Sequence, residues 1–317
     1  MKRSLSSFVV FFLLAAAPVQ AEPLCGALLC LSELPAHEAQ RVIEIVSNGR
    51  AKHANAFEGV ALVHAAMPEF DAAKRGRLAV VGPAFVGLGD GAVPAILERI
   101  VLADQGREAW TPSARAAWQI GLLDGVGKLR DPRSAAVLEA VCRSTKVELE
   151  SLKVASAALG RLETDSAAAV LVELSREPGE RGQAILAGMG HCRRLLVVRR
   201  LAEALPEQTD AATHRDVARS LATAASAPVW RAGLVRYPEE GREIRSLAAR
   251  ALFDDFVARS DDQRKALVTA LLVVDQSATS GLLEQEKTDA DPALSAALDH
   301  LAKRLECNPI SRFANPE

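Results

Sequence analysis

Aromatic side chains are scarce in this 317-residue chain, at 4% of all residues, with one tyrosine and three tryptophans. Strands draw heavily on aromatic and β-branched residues, so this scarcity disfavours a fold built on sheets. Alanine and leucine are abundant instead, and both favour helices that pack closely. Because 49% of the residues are hydrophobic, the chain can also build a large core. The composition therefore predicts an all-α fold.

The sequence signatures of several common enzyme sites are also missing. The five cysteines form no C-x-x-C pair, and the six histidines form no H-x-x-x-H or H-E-x-x-H pair, which disfavours a zinc site. There is no calcium-binding D-x-D-x-D-G loop and no G-x-S-x-G nucleophile elbow. We therefore predict no catalytic residues, no cofactor and no bound metal.

The longest apolar run lies at the amino terminus. After two basic residues, the uncharged segment FVVFFLLAAA occupies 8–17, and VQA at 19–21 supplies small residues for cleavage. The run is shorter than the roughly 20 residues of a membrane span, so residues 1–21 are predicted to be a secretory signal peptide. An uncleaved anchor is the alternative. We expect a periplasmic or extracellular chain that starts near Glu22 and has no integral membrane span.

All five cysteines follow the predicted cleavage site, in a compartment where disulfides can form. Cys25 and Cys30 are close enough in sequence to close a small loop. Cys142 falls within a predicted helix and is expected to be a small buried hydrophobic residue. Cys192 and Cys307 can be assigned neither to a pair nor to a site.

One helix–turn–helix pattern recurs along the chain. It is carried by LGDGAVPAIL at 88–97, LRDPRSAAVL at 129–138 and LETDSAAAVL at 162–171. In each unit the first helix is predicted to close at a glycine, which accepts a left-handed conformation. Asp131 and Pro132 suit the start of a second helix. Such a helix pair cannot bury its apolar side alone, so stacking on near-copies is predicted to build the core.

These three segments resemble HEAT repeats, including the shorter bacterial HEAT-like repeats first associated with phycobilisome lyases. The resemblance implies a right-handed α–α superhelical solenoid of stacked helix pairs and a binding surface, without naming a substrate. We expect an N-terminal helical segment at 22–72, with helices near 35–48 and 52–67. The repeat solenoid is expected at 73–306, followed by a frayed tail at 307–317.

Three short motifs invite a catalytic interpretation, but turns and helix ends explain them better. GLGDG at 87–91 lacks the preceding strand and following lysine of a phosphate loop. GHC at 190–192 places an imidazole next to a thiol, but adjacent helix positions point in different directions, which favours a polar turn. Paired acids such as Asp254 and Asp255 are expected to be solvated at helix ends. Ser260 with Gln263 is predicted to form a capping box.

A basic stripe is the candidate binding surface. Lys128, Arg161 and His191 occupy equivalent turn positions in three successive units and should lie along one edge of the solenoid. Arg193 and Arg200 are seven residues apart and share a helix face. We predict that these five residues receive an acidic segment of a protein partner. A solvated edge without a ligand is the alternative, because charge is the default at such positions.

The favoured functional hypothesis is an exported, monomeric, non-catalytic scaffold that binds a protein partner along its solenoid surface. The alternative is an enzyme or enzyme accessory factor with a site around His37, His53 and His64, and a spacer without a ligand is the third hypothesis. Once residues 1–21 are removed, 36 basic residues face 40 acidic ones. This balance gives no reason to expect a nucleic acid partner.

Overall fold

A computed structural model describes residues 26–103 and 110–312 of the chain. The predicted signal peptide and Cys25 lie outside these ranges. Within them the regular elements are α-helices and short 3₁₀ turns, and none of the helices combines the length and apolarity needed to cross a bilayer. The α-helices are α1 (Ala36–Lys52), α2 (Ala54–Ala65), α3 (Met67–Ala73), α4 (Gly82–Gly87), α5 (Val93–Val101), α6 (Pro112–Leu129), α7 (Ala135–Arg143), α8 (Leu149–Gly160), α9 (Asp165–Leu174), α10 (Glu180–Gly188), α11 (Leu195–Ala204), α12 (Ala211–Ala224), α13 (Ala227–Arg231), α14 (Gly241–Ala258), α15 (Asp261–Val274), α16 (Ala278–Lys287), α17 (Pro292–Glu306) and α18 (Pro309–Arg312).

The helices alternate between two layers along the chain. In layer A, α4, α6, α8, α10, α12, α15 and α17 each pack on the next helix of the series. In layer B, α7, α9, α11, α14 and α16 follow one another in the same way, and each contacts a helix of layer A. The predicted all-α solenoid of stacked, HEAT-like helix pairs is confirmed.

The hydrophobic core runs through both layers as one continuous cluster, from Leu29 to Leu301. The two helices predicted near 35–48 and 52–67 are α1 and α2, and their apolar sides join this cluster. The segment before α1 is attached by its backbone, because the N–H groups of residues 27–29 donate to carbonyl groups in the last turn of α5. These bonds satisfy carbonyls that a helix end leaves without partners.

The repeated glycines serve packing, which corrects the prediction that they end helices in a left-handed conformation. Helix α6 passes through Gly127, and the left-handed residue is Arg130, with φ 53°. A Cβ atom at Gly127 would lie 2.6 Å from the Cα atom of Ala158, and one at Gly160 would lie 2.9 Å from a backbone nitrogen. The small residue therefore lets one unit approach the backbone of the next.

Local capping largely follows the sequence. The side chain of Asp131 accepts a hydrogen bond from the backbone N–H of Arg133 at 2.8 Å, and Pro132 opens a 3₁₀ turn that leads into α7. This confirms the predicted helix start. Ser260 occupies the N-cap position of α15, but its side chain forms no cap hydrogen bond. The predicted capping box is therefore incomplete.

The prediction of a frayed tail at 307–317 is wrong for residues 307–312. The buried side chain of Asn308 donates to the carbonyl oxygen of Leu272 at 2.9 Å and to Asp275 Oδ1 at 3.0 Å. Helix α18 follows, and Arg231 donates to the carbonyl oxygen of Ile310. A polar residue can be anchored in this way when a neighbouring helix end offers free acceptors. Residues 313–317 lie outside the described ranges.

Candidate functional site

A pocket of about 300 Å³ opens on layer A between α6, α8, α10 and α12. We call it the layer-A pocket. It spans the helices of successive repeat units, which brings together residues that are distant in sequence. Its ionisable and imidazole-bearing lining residues are Asp124, Glu150, Lys153, Arg161, His191 and Arg219.

Glycines and a serine hold His191 in this pocket. His191 ends the 3₁₀ turn Met189–His191, which connects α10 to the segment before α11. The backbone N–H of Gly190 donates to Ser220 Oγ of α12 at 2.8 Å, and a Cβ atom at Gly190 would overlap the backbone carbonyl of Ser220. The imidazole is therefore positioned by backbone contacts, which leave the turn little freedom to move.

His191 is neutral at pH 7. Burial, followed by the positive charges of Arg161 and Arg193, lowers the pKa of its imidazole to about 4, against the opposing charge of Asp124. A neutral imidazole carries one N–H donor and one nitrogen that can accept a hydrogen bond or a proton. The contributions of Arg161 and Arg193 to this shift add positive potential at the ring, beyond the effect of burial.

Arg161 lies next to this imidazole with hydrogen-bonding capacity left over. Its Nη1 is buried and has no hydrogen-bond partner among the described residues. The nearest acid oxygen is Asp124 Oδ1 at 3.5 Å, an ion-pair distance without hydrogen-bond geometry. Asp124 is shared with Lys128, whose Nζ lies 2.7 Å from Oδ2. Burial lowers the pKa of Arg161, which remains charged, so the floor of the pocket has a cation that is incompletely paired.

The two cations at the mouth of the pocket, Lys153 and Arg219, are each in contact with a carboxylate oxygen. Lys153 Nζ lies 2.6 Å from Asp216 Oδ2, and Arg219 Nη1 lies 3.2 Å from the other oxygen of the same carboxylate. Both cations therefore hydrogen-bond to a carboxylate, whereas the buried Nη1 of Arg161 has no hydrogen-bond partner among the described residues. Arg161 is thus the lining cation with the least complete pairing.

The structure brings part of the predicted basic stripe together. Arg161 and His191 line the same pocket, and Lys128 contacts it through Asp124. Arg193 is not on that edge: it is 5% exposed and donates from Nη1 to Glu163 Oε1 at 2.9 Å. The expected exposure of Arg193 is therefore wrong, because the guanidinium pairs inside the protein with Glu163 of the preceding unit.

Arg200, the fifth residue of the predicted stripe, is also separate from the pocket. It lies on α11 in layer B and donates to the side chain of Ser175 at 3.2 Å and to its carbonyl oxygen at 3.3 Å. These bonds attach α11 to the end of α9. The guanidinium therefore contributes to the packing of layer B.

The cysteines do not form a nucleophile. Cys192, next to His191, is fully buried, and burial raises the pKa of its thiol to about 12. The predicted polar-turn interpretation of GHC fits this environment, since thiolate chemistry needs a lowered pKa. Cys142 is buried as predicted, and Cys307 is exposed and free. Cys30 is disulfide-bonded, and Cys25 lies outside the described ranges.

The three N-terminal histidines do not form a site together. His37 is exposed on α1, and His53 is exposed between α1 and α2. The ring of His64 packs at 4.6 Å and 4.9 Å from two tryptophan rings. The part of the chain that the structure describes contains no group of three or more histidine, cysteine, aspartate or glutamate residues placed to hold a metal. Within the described residues, these three histidines therefore form no metal-binding group with one another.

Sequence reasoning missed a buried polar pair between α12 and α14. His214 Nε2 lies 2.5 Å from Asp255 Oδ2, and Arg259 donates to the other oxygen at 3.0 Å. Asp255 is 5% exposed, so its expected solvation at a helix end is wrong. Leu252 and Phe256, three residues before and one after Asp255, are buried too, and these apolar neighbours are a signal in the sequence that this part of α14 faces inward.

Comparison with known proteins finds no matching family model and no matching curated protein. A similar solved structure is that of human deoxyhypusine hydroxylase in complex with glycerol. The two chains are 17% identical with a TM-score of 0.31, and the match covers 79% of this chain and 97% of that chain. At this similarity no reaction, cofactor or residue role is transferred. The similar chain is that of an enzyme, so this finding gives no support to the prediction of a non-catalytic protein-binding scaffold, and that prediction is not retained.

Proposed function

We propose that this chain is an enzyme or an enzyme accessory factor that binds a small organic anion in the layer-A pocket. His191 accepts a hydrogen bond or a proton from the bound molecule, and Arg161 binds its carboxylate or phosphate group. The observation that carries the proposal is the buried Nη1 of Arg161, which has no hydrogen-bond partner among the described residues and lies beside a neutral imidazole.

The charges around the pocket support an anionic ligand. Arg161 and Arg193 both lower the pKa of His191, so negative charge placed beside the ring would be stabilised. A hydrogen bond between a guanidinium and an anion contributes about 1.5–3 kcal/mol, more than a neutral hydrogen bond. The volume of about 300 Å³ is at the lower end of the range for small-molecule sites. A compact ligand with one or two acidic groups fits these properties.

The same arrangement supports acid–base chemistry. In the free protein the imidazole is a weak base, because burial and Arg161 hold its pKa at about 4. A bound anion opposes the charge of Arg161 and raises that pKa, which makes the imidazole a better proton acceptor when the ligand is present. We therefore propose an enzyme site in the solenoid, whereas the sequence-based alternative put it near His37, His53 and His64.

Replacing Arg161 by alanine is expected to weaken the binding of phosphate or citrate at least tenfold. The estimate follows from about 1.5–3 kcal/mol for one charged hydrogen bond. Isothermal titration calorimetry with the full mature chain measures this effect. Arg199→Ala is the matched control, because Arg199 is an exposed arginine on α11 paired with Glu243. Equal affinities of Arg161→Ala and Arg199→Ala for both anions would contradict the proposal.

Anion binding is expected to take up a proton at His191 and therefore to strengthen as the pH falls from 7 towards 5. The imidazole has a pKa of about 4 in the free chain, and the bound anion raises it. The complex therefore binds more protons than the free chain above pH 4, and lower pH favours the complex. Titrations in two buffers with different ionisation enthalpies measure the uptake. His191→Asn should abolish it, and unchanged uptake in this variant would exclude His191 as the acceptor.

Two finer predictions from the sequence belong to this proposal and stay predictions. One is export by the segment 1–21, which would place the pocket in the periplasm or outside the cell. The other is the likeness of the repeats to those associated with phycobilisome lyases. The proposed anion site depends on neither of them.

A further inference from the structure

A second and larger pocket, of about 530 Å³, lies between α15 and α17 near the carboxyl end of the solenoid. We call it the C-terminal groove. It shares no lining residue with the layer-A pocket. Its volume is within the range of about 300–1,000 Å³ that small-molecule sites occupy.

The groove has an apolar wall. Phe256 of α14 and Val268 of α15 face Ala293, Ala296 and Ala297 of α17 across it. Three alanines at helical spacing give α17 a flat surface, and the absence of longer side chains there leaves the volume open. Such a wall offers burial to an alkyl chain, since apolar surface gains free energy when it leaves water.

The groove also has an excess of cations. Arg264, Lys265 and Arg304 line it together with one acid, Asp261. Arg264 is already engaged, because its Nη1 lies 2.8 Å from Asp261 and its Nε donates to the carbonyl oxygen of Phe256 at 3.0 Å. This pairing neutralises the single acid of the lining.

The two remaining cations are available to a ligand. Lys265 has only a solvent-exposed partner, Asp262, at 3.5 Å. Exposed pairs of this kind are weak. Arg304 forms no ion pair with any residue in the described ranges, and His300 lies one turn before it on the same helix. Positive charge therefore borders an apolar wall.

We propose that the C-terminal groove binds a single amphipathic anion of the fatty-acid class. The alkyl chain lies along Phe256, Val268 and the alanines of α17, and the carboxylate is bound by Arg304 and Lys265. Charge complementarity selects the acidic head group, and the alanine surface selects an unbranched chain. This inference is independent of the anion site in the layer-A pocket.

Dodecanoate, used below its micelle-forming concentration, is expected to bind the full mature chain in isothermal titration calorimetry. Each buried methylene contributes about fourfold in affinity, so octanoate should bind at least tenfold more weakly than dodecanoate. Arg304→Ala should weaken dodecanoate at least fivefold. The matched control is Lys303→Ala, which removes the same charge from the neighbouring exposed position outside the groove. Ala296→Phe fills the groove from an exposed position and should abolish binding without unfolding the chain.

Three results would overturn this proposal. Equal affinities for octanoate and dodecanoate would show that the apolar wall takes no part. A loss of dodecanoate binding in Arg161→Ala, but not in Arg304→Ala, would place the ligand in the layer-A pocket. A dimer in analytical ultracentrifugation that Ala296→Phe dissociates would show that a second copy of this chain covers the groove.

Discussion

Replacing Glu163 by alanine is expected to lower the free energy of unfolding by about 3–5 kcal/mol. Glu163 is 1% exposed and joins three segments of the chain. It accepts from Arg193 Nη1 at 2.9 Å and from the backbone N–H of Arg236 at 2.9 Å. Removal of the carboxylate leaves the buried guanidinium of Arg193 without a counter-charge, and this desolvated charge is the main cost. Urea unfolding followed by circular dichroism measures the loss.

A matched exposed pair provides the control. Glu173 is paired with Arg143 through two hydrogen bonds of 2.8 and 3.0 Å, but its side chain is 61% exposed. Glu173→Ala should therefore cost less than about 1 kcal/mol. The double variant Glu163→Leu with Arg193→Met should be more stable than Glu163→Ala, because no buried charge is left behind. Equal losses for Glu163→Ala and Glu173→Ala would show that burial does not determine the strength of these pairs.

Replacing Gly190 by alanine is expected to destabilise the protein by about 3 kcal/mol, the upper end of the usual cost of overpacking. The added Cβ atom would overlap the carbonyl group of Ser220, which belongs to the backbone of α12 and cannot rotate away. Relief of the overlap must move the turn and break the hydrogen bond from Gly190 N–H to Ser220 Oγ. Since His191 is the next residue, anion binding should fall as well. Urea unfolding and calorimetric titration measure the two effects.

The same substitution at Gly281 should have the opposite effect and raise the free energy of unfolding. Gly281 lies inside α16, and nothing would be within 4 Å of a Cβ atom there. Gly281→Ala is expected to stabilise the chain by about 0.5–1 kcal/mol, because alanine restricts the unfolded chain and favours a helix. If Gly190→Ala left the free energy of unfolding unchanged, the close approach of the turn to α12 would be excluded as a source of stability.

Features that depend on neighbouring residues were predictable. The scarcity of aromatic residues and the spacing of the apolar positions predicted the helices, including α1 and α2 before the repeats. The cap formed by Asp131 before α7 was predictable too, because a cap involves residues only two or three positions apart. Recurrence of one pattern then predicted stacking, since a single pair has an apolar side that nothing else covers.

Features that depend on the facing helix were predicted wrongly. The repeat glycines were assigned to left-handed helix ends, yet Gly127 packs against Ala158 of the next unit. Asp255 was assigned to solvent, yet it is buried against His214. Arg193 was assigned to an exposed stripe, yet Glu163 binds it inside the protein. In each case the partner lies 30 to 41 residues away, where helical periodicity carries no information.

For the candidate site, too, some features followed from the sequence and others from the tertiary structure alone. The sequence by itself predicted that Lys128, Arg161 and His191 occupy equivalent positions in successive units, because the period of the repeat sets this. Only the tertiary structure decided that α8, α12 and the 3₁₀ turn Met189–His191 enclose Arg161 and His191 closely enough to neutralise the imidazole and leave one guanidinium nitrogen without a bond, whereas Lys128 lies outside the pocket lining. Burial and electrostatic potential depend on every charge and surface that packs nearby, and a linear pattern does not contain those distances.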